Sequence, residues 1–96
     1  MLHLVNKSPY DGSNLSTATS IMKDGDTLLL IEDGVYGAMK AGKAASLLQG
    51  HTVSVLGPDL AARGIGEDKL ADGEKVVDYG DFVDMVEASD KVQSWL

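Results

Sequence analysis

The stretch Thr27-Leu28-Leu29-Leu30-Ile31-Glu32-Asp33-Gly34 decides the fold class. One hydroxyl is followed by four consecutive large aliphatic side chains with no polar alternation. Successive side chains of a strand point to opposite faces, so a strand apolar at every position is covered on both. That is the pattern of a parallel sheet with helices on its faces. Asp24-Gly25-Asp26 before the run and Glu32-Asp33-Gly34 after it are turn residues that set its limits.

Working toward the N-terminus, Leu2, Leu4 and Val5 read as a first strand that ends at Asn6-Lys7-Ser8-Pro9. Pro9 biases Ser8 away from helix. After the turn Asp11-Gly12-Ser13-Asn14, residues Leu15, Ala18, Thr19 and Met22 fall at i, i+3, i+4 and i+7, predicting a helix over Leu15–Lys23. Working toward the C-terminus, Val35–Leu48 reads as a helix broken around Gly42, with Gly50 as its stop. Thr52–Leu56 reads as a third strand. Gly57-Pro58-Asp59 leads into a short helix, Leu60–Arg63, closed by Gly64. Residues 66–74 read as polar loop and Lys75–Tyr79 as a fourth strand. Gly80-Asp81 opens a last helix with Phe82, Val83, Met85 and Val86 on one face. The tail 91–96 holds the only Trp, Trp95, and a terminal Leu96, which should dock it.

The order β-α-β-α-β-α-β-α makes this an α/β chain. It predicts a small three-layer α/β/α domain with a mostly parallel sheet of four to five strands. The 96 residues read as one domain, 1–96. By size scaling, such a chain exposes about 14,600 Å² unfolded and about 5,300 Å² folded, which supports one modest core. The composition is 44% hydrophobic and 24% charged, ordinary for a globular domain, so intrinsic disorder is excluded. The N-terminus has neither a basic head nor a long apolar centre, so it does not read as a signal peptide, and no stretch is long enough to span a bilayer. The expectation is a cytoplasmic protein without membrane contact.

Eight basic residues face fifteen acidic ones, a formal charge of −7. Nucleic-acid binding needs clustered cations that displace counterions from phosphates, and the lysines here are scattered. Direct nucleic-acid binding is therefore not expected. The cysteine count is zero. Disulfides, thiolate metal sites and any thiol nucleophile or persulfide carrier on this chain are excluded. His3 and His51 lack the spacing of a helical metal pair, and His3 reads as a hydrogen-bonded strand histidine. No metal or cofactor is expected.

Gly37-Ala38-Met39-Lys40-Ala41-Gly42-Lys43-Ala44 matches a phosphate-binding P-loop except at its last position. There the Ser/Thr that holds magnesium is Ala44. Four residues, Asp33–Tyr36, also separate it from the strand a P-loop should leave directly. A free-standing small-ligand or nucleotide-binding α/β domain remains the alternative of another class. Glu32-Asp33 stand where the second strand ends, the edge at which open α/β sheets bind ligands. Asp33 is expected to cap the following helix. Arg63, the only arginine, is expected to pair with a fixed carboxylate and lock the Asp59–Gly64 turn. Serines lack a histidine base nearby in sequence and a nucleophile elbow. No catalytic constellation is visible.

Several segments together resemble the TusB/DsrH family. They are Met1-Leu2-His3 with Val5–Tyr10, Asp24–Asp26 with Leu28–Tyr36 and its "DGV" corner, Leu56–Gly64 with its "D-L-x-A-R-G" segment, Val77-Asp78-Tyr79 with Phe82-Val83, and the closing Val92–Leu96. Their order and spacing cover nearly the whole chain. The resemblance implies a non-catalytic subunit of a sulfur-relay assembly. Its expected partners are TusC/DsrF-like and TusD/DsrE-like subunits in a heterohexamer, with the persulfide carried by a cysteine of the TusD/DsrE-like one. In the TusBCD version the sulfur goes to 2-thiouridine at the tRNA wobble position; in the DsrEFH version the assembly serves dissimilatory sulfur oxidation. Some DsrH proteins carry a cysteine in the first helix; Thr17–Ser20 here has none. The role implied is architectural. Structural or interface candidates are Asp33, Gly34, Asp59, Arg63, Gly64 and Tyr79. Self-association of the isolated chain is left open.

Overall fold

In the computed structural model, which describes residues 1–95, five strands form one wholly parallel sheet. They are β1 (Leu2–Val5), β2 (Thr27–Leu30), β3 (Thr52–Leu56), β4 (Lys75–Val77) and β5 (Val92–Trp95), in spatial order β4-β3-β2-β1-β5. The helices are α1 (Asn14–Ile21), α2 (Ala45–Leu48), α3 (Gly57–Ala62) and α4 (Tyr79–Ala88). Two 3₁₀ segments, Glu32–Ala38 and Glu67–Lys69, complete the connections. Helices cover both faces of the sheet, so the α/β reading with its parallel sheet holds.

The leucine run shows why. Leu28 and Leu30 enter a core with Leu15 and Ala18 of α1, Leu48 of α2 and Leu60 of α3. Leu29 enters a second core on the other face, with Leu2, Leu4, Leu56 and Val77, against which Phe82 and Met85 of α4 pack. All three leucines are fully buried. Burying one such side chain stabilises by about 1.5–3 kcal/mol, so the run anchors both layers at once.

The structure corrects several element limits. Val35–Leu48 is not one helix broken at Gly42. The chain instead takes the 3₁₀ segment Glu32–Ala38, then turns, and only Ala45–Leu48 is α-helical. The buried residues of that segment are Gly34, Val35, Gly37 and Ala38, two pairs spaced by three. A helix of three residues per turn stacks such pairs directly above one another, whereas an α-helix sets them about 60° apart. The tail is more than docked: it is a fifth strand beside β1, with Leu2 opposite Val92 and Val5 opposite Trp95. Its mostly exposed residues hid this, because an edge strand held by backbone pairing shows no apolar pattern. Leu96 lies outside the described residues.

The fourth strand stops at Val77, two residues early, because Asp78 is the N-cap of α4. Asp78 Oδ1 accepts the Asp81 amide at 2.7 Å, and Asp81 Oδ2 accepts the Asp78 amide at 3.1 Å, a reciprocal capping box. Tyr79 is therefore the first residue of α4 rather than the end of a strand. The third helix likewise starts earlier, at Gly57, since Pro58 in its first turn needs no partner for a missing N–H. Within the loop 66–74, Glu67–Lys69 forms one 3₁₀ turn.

Candidate functional site

The C-terminal ends of β2 and β3 carry a clasp of charged side chains. Glu32, the first residue of the 3₁₀ segment, has φ +48°, the left-handed region that costs a non-glycine residue energy. Its amide donates to Asp59 Oδ2 of α3 at 2.6 Å, which holds the strained corner in place. Arg63 folds back along α3: Nε donates to Asp33 Oδ1 at 2.9 Å and Nη1 to the Asp59 carbonyl at 3.1 Å. The Asp59 carboxylate lies 4.0 Å from Nη1. One guanidinium thus ties the end of β2 to the helix after β3.

Asp33 does not cap the following segment, contrary to expectation. The residue at the cap position is Ile31, whose own side chain makes no cap bond. Asp59 takes that role from α3, leaving Asp33 free to accept from Arg63. Gly34 follows directly. A β-carbon on it would collide with the Val5 carbonyl oxygen and stand 2.9 Å from its carbon, so backbone meets backbone here with no room for a side chain. Gly64 ends α3 with φ +67°. The Gly64 amide donates to the Ala61 carbonyl and the Ile65 amide to the Leu60 carbonyl, the two bonds of a Schellman cap. The structure therefore brings Asp33, Gly34, Asp59, Arg63 and Gly64 to one corner. Tyr79 stands apart from it, exposed on α4.

Beyond the N-terminus of α1 lies a cleft of about 320 Å³ lined by Pro9, Ser13, Ser16, Lys43, Ser46 and Leu47 among others. Lys43 Nζ sits 4.9 Å from the Tyr10 ring centroid, a cation–π contact. The cleft's described lining holds hydroxyls and one ammonium but no carboxylate, imidazole or thiol. It has no nucleophile–base pair. The Gly37–Ala44 stretch does not form a phosphate cradle either. The Lys40, Gly42 and Ala45 amides donate to the carbonyls of Lys69, Met39 and Gly42, so they are not free to hold an anion. Among the described residues, no three His, Asp or Glu side chains cluster as a metal site.

At the opposite, N-terminal edge of the sheet, buried His3 bridges two elements. Trp95 Nε1 donates to His3 Nδ1 at 3.1 Å, so we assign the ring proton to Nε2, which faces Asp26 Oδ2 at 3.1 Å. Asp26 also accepts the Lys23 amide at 3.0 Å and the Met1 ammonium at 3.0 Å. The Lys23 amide first, then His3 and the ammonium, hold its carboxyl well below the usual carboxylate range. His3 is thus a hydrogen-bonded strand histidine, and no local pattern marks Trp95 and Asp26 as its partners. Two buried acceptor groups lack a well-formed hydrogen bond among the described residues: Asn6 Oδ1 at the end of β1, and the carboxylate of Glu74, whose burial the nearby Ala71 backbone offsets only in part. Burial pushes the Glu74 carboxyl up to about 7.

Comparison with known proteins matches this architecture. The family model described as "DsrH like protein" aligns with residues 7–92. Protein TusB of Pectobacterium parmentieri is 33% identical over 97 residues, spanning 99% of this chain and 100% of that relative. Protein TusB of Klebsiella pneumoniae strain 342 is 38% identical over 85 residues, spanning 86% of this chain and 87% of that relative. Among solved structures, the ychN protein from E. coli superposes with a TM-score of 0.77 at 19% identity, covering 97% of each chain. Protein Tm0979 from Thermotoga maritima superposes at 0.70 with 24% identity, covering 95% of this chain and 97% of that one. These two share the fold. On the strength of the full-length sequence matches, the chain belongs to the TusB/DsrH family.

Proposed function

We propose that this protein is a non-catalytic subunit of a cytoplasmic sulfur-relay complex, and that the complex serves 2-thiolation of the tRNA wobble uridine. The family is one of sulfur-relay subunits, and no helix of the described residues is long and apolar enough to cross a membrane. The observation that carries the reading is an end-to-end relation to proteins named TusB in a chain with no cysteine at all. Persulfide transfer runs through a thiolate attacking or carrying sulfane sulfur. A chain without one holds the geometry of a neighbour that has it.

In this reading the partners are TusC/DsrF-like and TusD/DsrE-like subunits in a heterohexamer, and the TusD/DsrE-like subunit carries the persulfide. The Asp33–Arg63–Asp59 clasp acts as a positioning element: it fixes the corner from Glu32 to Gly34 at the sheet edge. The protein makes no direct contact with tRNA, consistent with its net charge of −7.

The test is reconstitution. The chain co-purifies with its TusC- and TusD-like partners, and removing its gene lowers 2-thiouridine in bulk tRNA measured by mass spectrometry. Unchanged thiouridine with impaired growth on reduced sulfur places the complex in dissimilatory sulfur oxidation, the DsrH role, instead. A sulfur adduct on this chain after exposure to a loaded donor overturns the non-carrier role.

A further inference from the structure

We propose that the flank of α4 formed by Tyr79, Val83 and Val86 is a docking surface for a different protein chain, one that presents an apolar centre rimmed by lysine or arginine. The inference rests on the subunit reading above and adds where on this molecule the contact lies.

Among the described residues, α4 is the only helix packed against the second core, and it is incompletely packed. Phe82 and Met85 turn toward the sheet, yet neither is fully buried, and no residue of α4 is. Tyr79, Val83 and Val86 are 59%, 54% and 36% exposed. They stand at i, i+4 and i+7, so they form one line along the helix. Of the other large exposed hydrophobics, Ile21 ends α1, Val92 begins β5, and Met1 and Tyr10 lie outside the named elements. A line of three on one helix is a different matter from scattered single residues, which need no explanation.

Charge selects the occupant. Asp84 and Glu87 are exposed on the flank beside Val83, Asp81 lies farther round the helix in its capping box, and no Lys or Arg occurs between Tyr79 and Ala88. The apolar line exposes on the order of 300 Å², whereas a stable interface takes about 800 Å² from each partner. Glu87 stands about 40° round the helix from Val83 and Asp84 about 100°, so a partner that reaches that area across this flank covers this acidic pair. A second copy of this chain paired two-fold through α4 would set that pair against itself, and like charges at close range are repulsive. A basic rim on a different chain neutralises it and lets Tyr79, the largest of the three, serve as the central anchor.

The test co-expresses the full chain with the TusC- and TusD-like subunits from its own source and reads assembly by size-exclusion chromatography and titration calorimetry. Val83→Asp should weaken association on the order of 100-fold, while circular dichroism shows the helix content retained. The double reversal Asp84→Lys with Glu87→Lys should weaken it roughly 10-fold and remove most of its salt dependence. If wild type assembles and both variants assemble equally well, the docking surface is overturned and the subunit reading stands. If the wild-type chain does not assemble with those partners at all, the subunit reading fails and the inference with it. If wild type alone forms a dimer that Val83→Asp dissolves, the occupant is a second copy and the inference is also overturned.

Discussion

Arg63 is the residue on which the β2–β3 corner turns. Its pair with Asp33 is half exposed to water, and such pairs are worth about 1 kcal/mol or less. The bond to the Asp59 carbonyl adds a contribution of similar size. Arg63→Ala should therefore lower stability by about 1–2 kcal/mol in urea titration, with Arg63→Lys in between, since an ammonium cannot reproduce a planar fork. Gly34 is less forgiving. The neighbour an added β-carbon meets is the Val5 backbone, which cannot rotate away. Gly34→Ala should cost about 1–3 kcal/mol, seen as a drop in the urea midpoint. Glu74 gives a pH signature. Its carboxyl titrates at about 7 in the folded chain against 4.5 normally, so the folded state holds the proton more tightly. The stability linked to that proton is complete below pH 4.5 and is lost as pH rises through 7. Glu74→Gln, which keeps the neutral shape, should raise the melting temperature at pH 8 and leave it nearly unchanged at pH 4.5.

Elements differed in how plainly the sequence declared them. β2 was legible because four aliphatics in a row satisfy only a strand covered on both faces, and Leu28–Leu30 are buried on both. The end of α3 was legible at Gly64, whose φ of +67° suits the residue with no β-carbon. Gly64→Ala should cost about 1–2 kcal/mol, measured by thermal denaturation. The segment after β2 was misread because apolar and small residues fit helices of either pitch, and pairs three apart, Gly34/Gly37 and Val35/Ala38, share a face in both. β5 was missed as a strand because exposed Val92, Gln93 and Ser94 carry no burial pattern. Its attachment depends on long-range partners, Trp95 to His3 and Asn14 to the Trp95 carbonyl, that no local window contains. In the clasp, the identities of Arg63 and Asp59 were legible. Their partners were not, since Asp33 and Arg63 meet only after β2 and β3 lie side by side. Trp95→Phe keeps the apolar ring but leaves His3 Nδ1 without its donor. Amide hydrogen exchange should then speed up across Val92–Trp95 while β2 and β3 stay protected.

At the scale of the whole molecule, the sheet is asymmetric in its protection. The face of α1, α2 and α3 holds the larger core, from Val5 across to Leu70. The face of α4 holds a smaller one, centred on Leu2, Leu29 and Leu56 and covered by a helix with no fully buried residue. Exchange protection should follow the same division, with the backbone amides of α4 exchanging faster than those of β2 in the isolated chain. An assembled complex that slows exchange in α4 alone would mark the covered face directly.

The strand that comes last in the described chain seals the flank of the one that comes first. A protease cut between Ser89 and Lys91 would let Val92–Trp95 drift away and bare the outer hydrogen-bonding groups of Leu2–Val5. Those four residues are buried and rich in aliphatics, the kind of naked edge on which a second chain can pair. The few exposed residues after α4 thus guard the molecule against clumping with its own fragments.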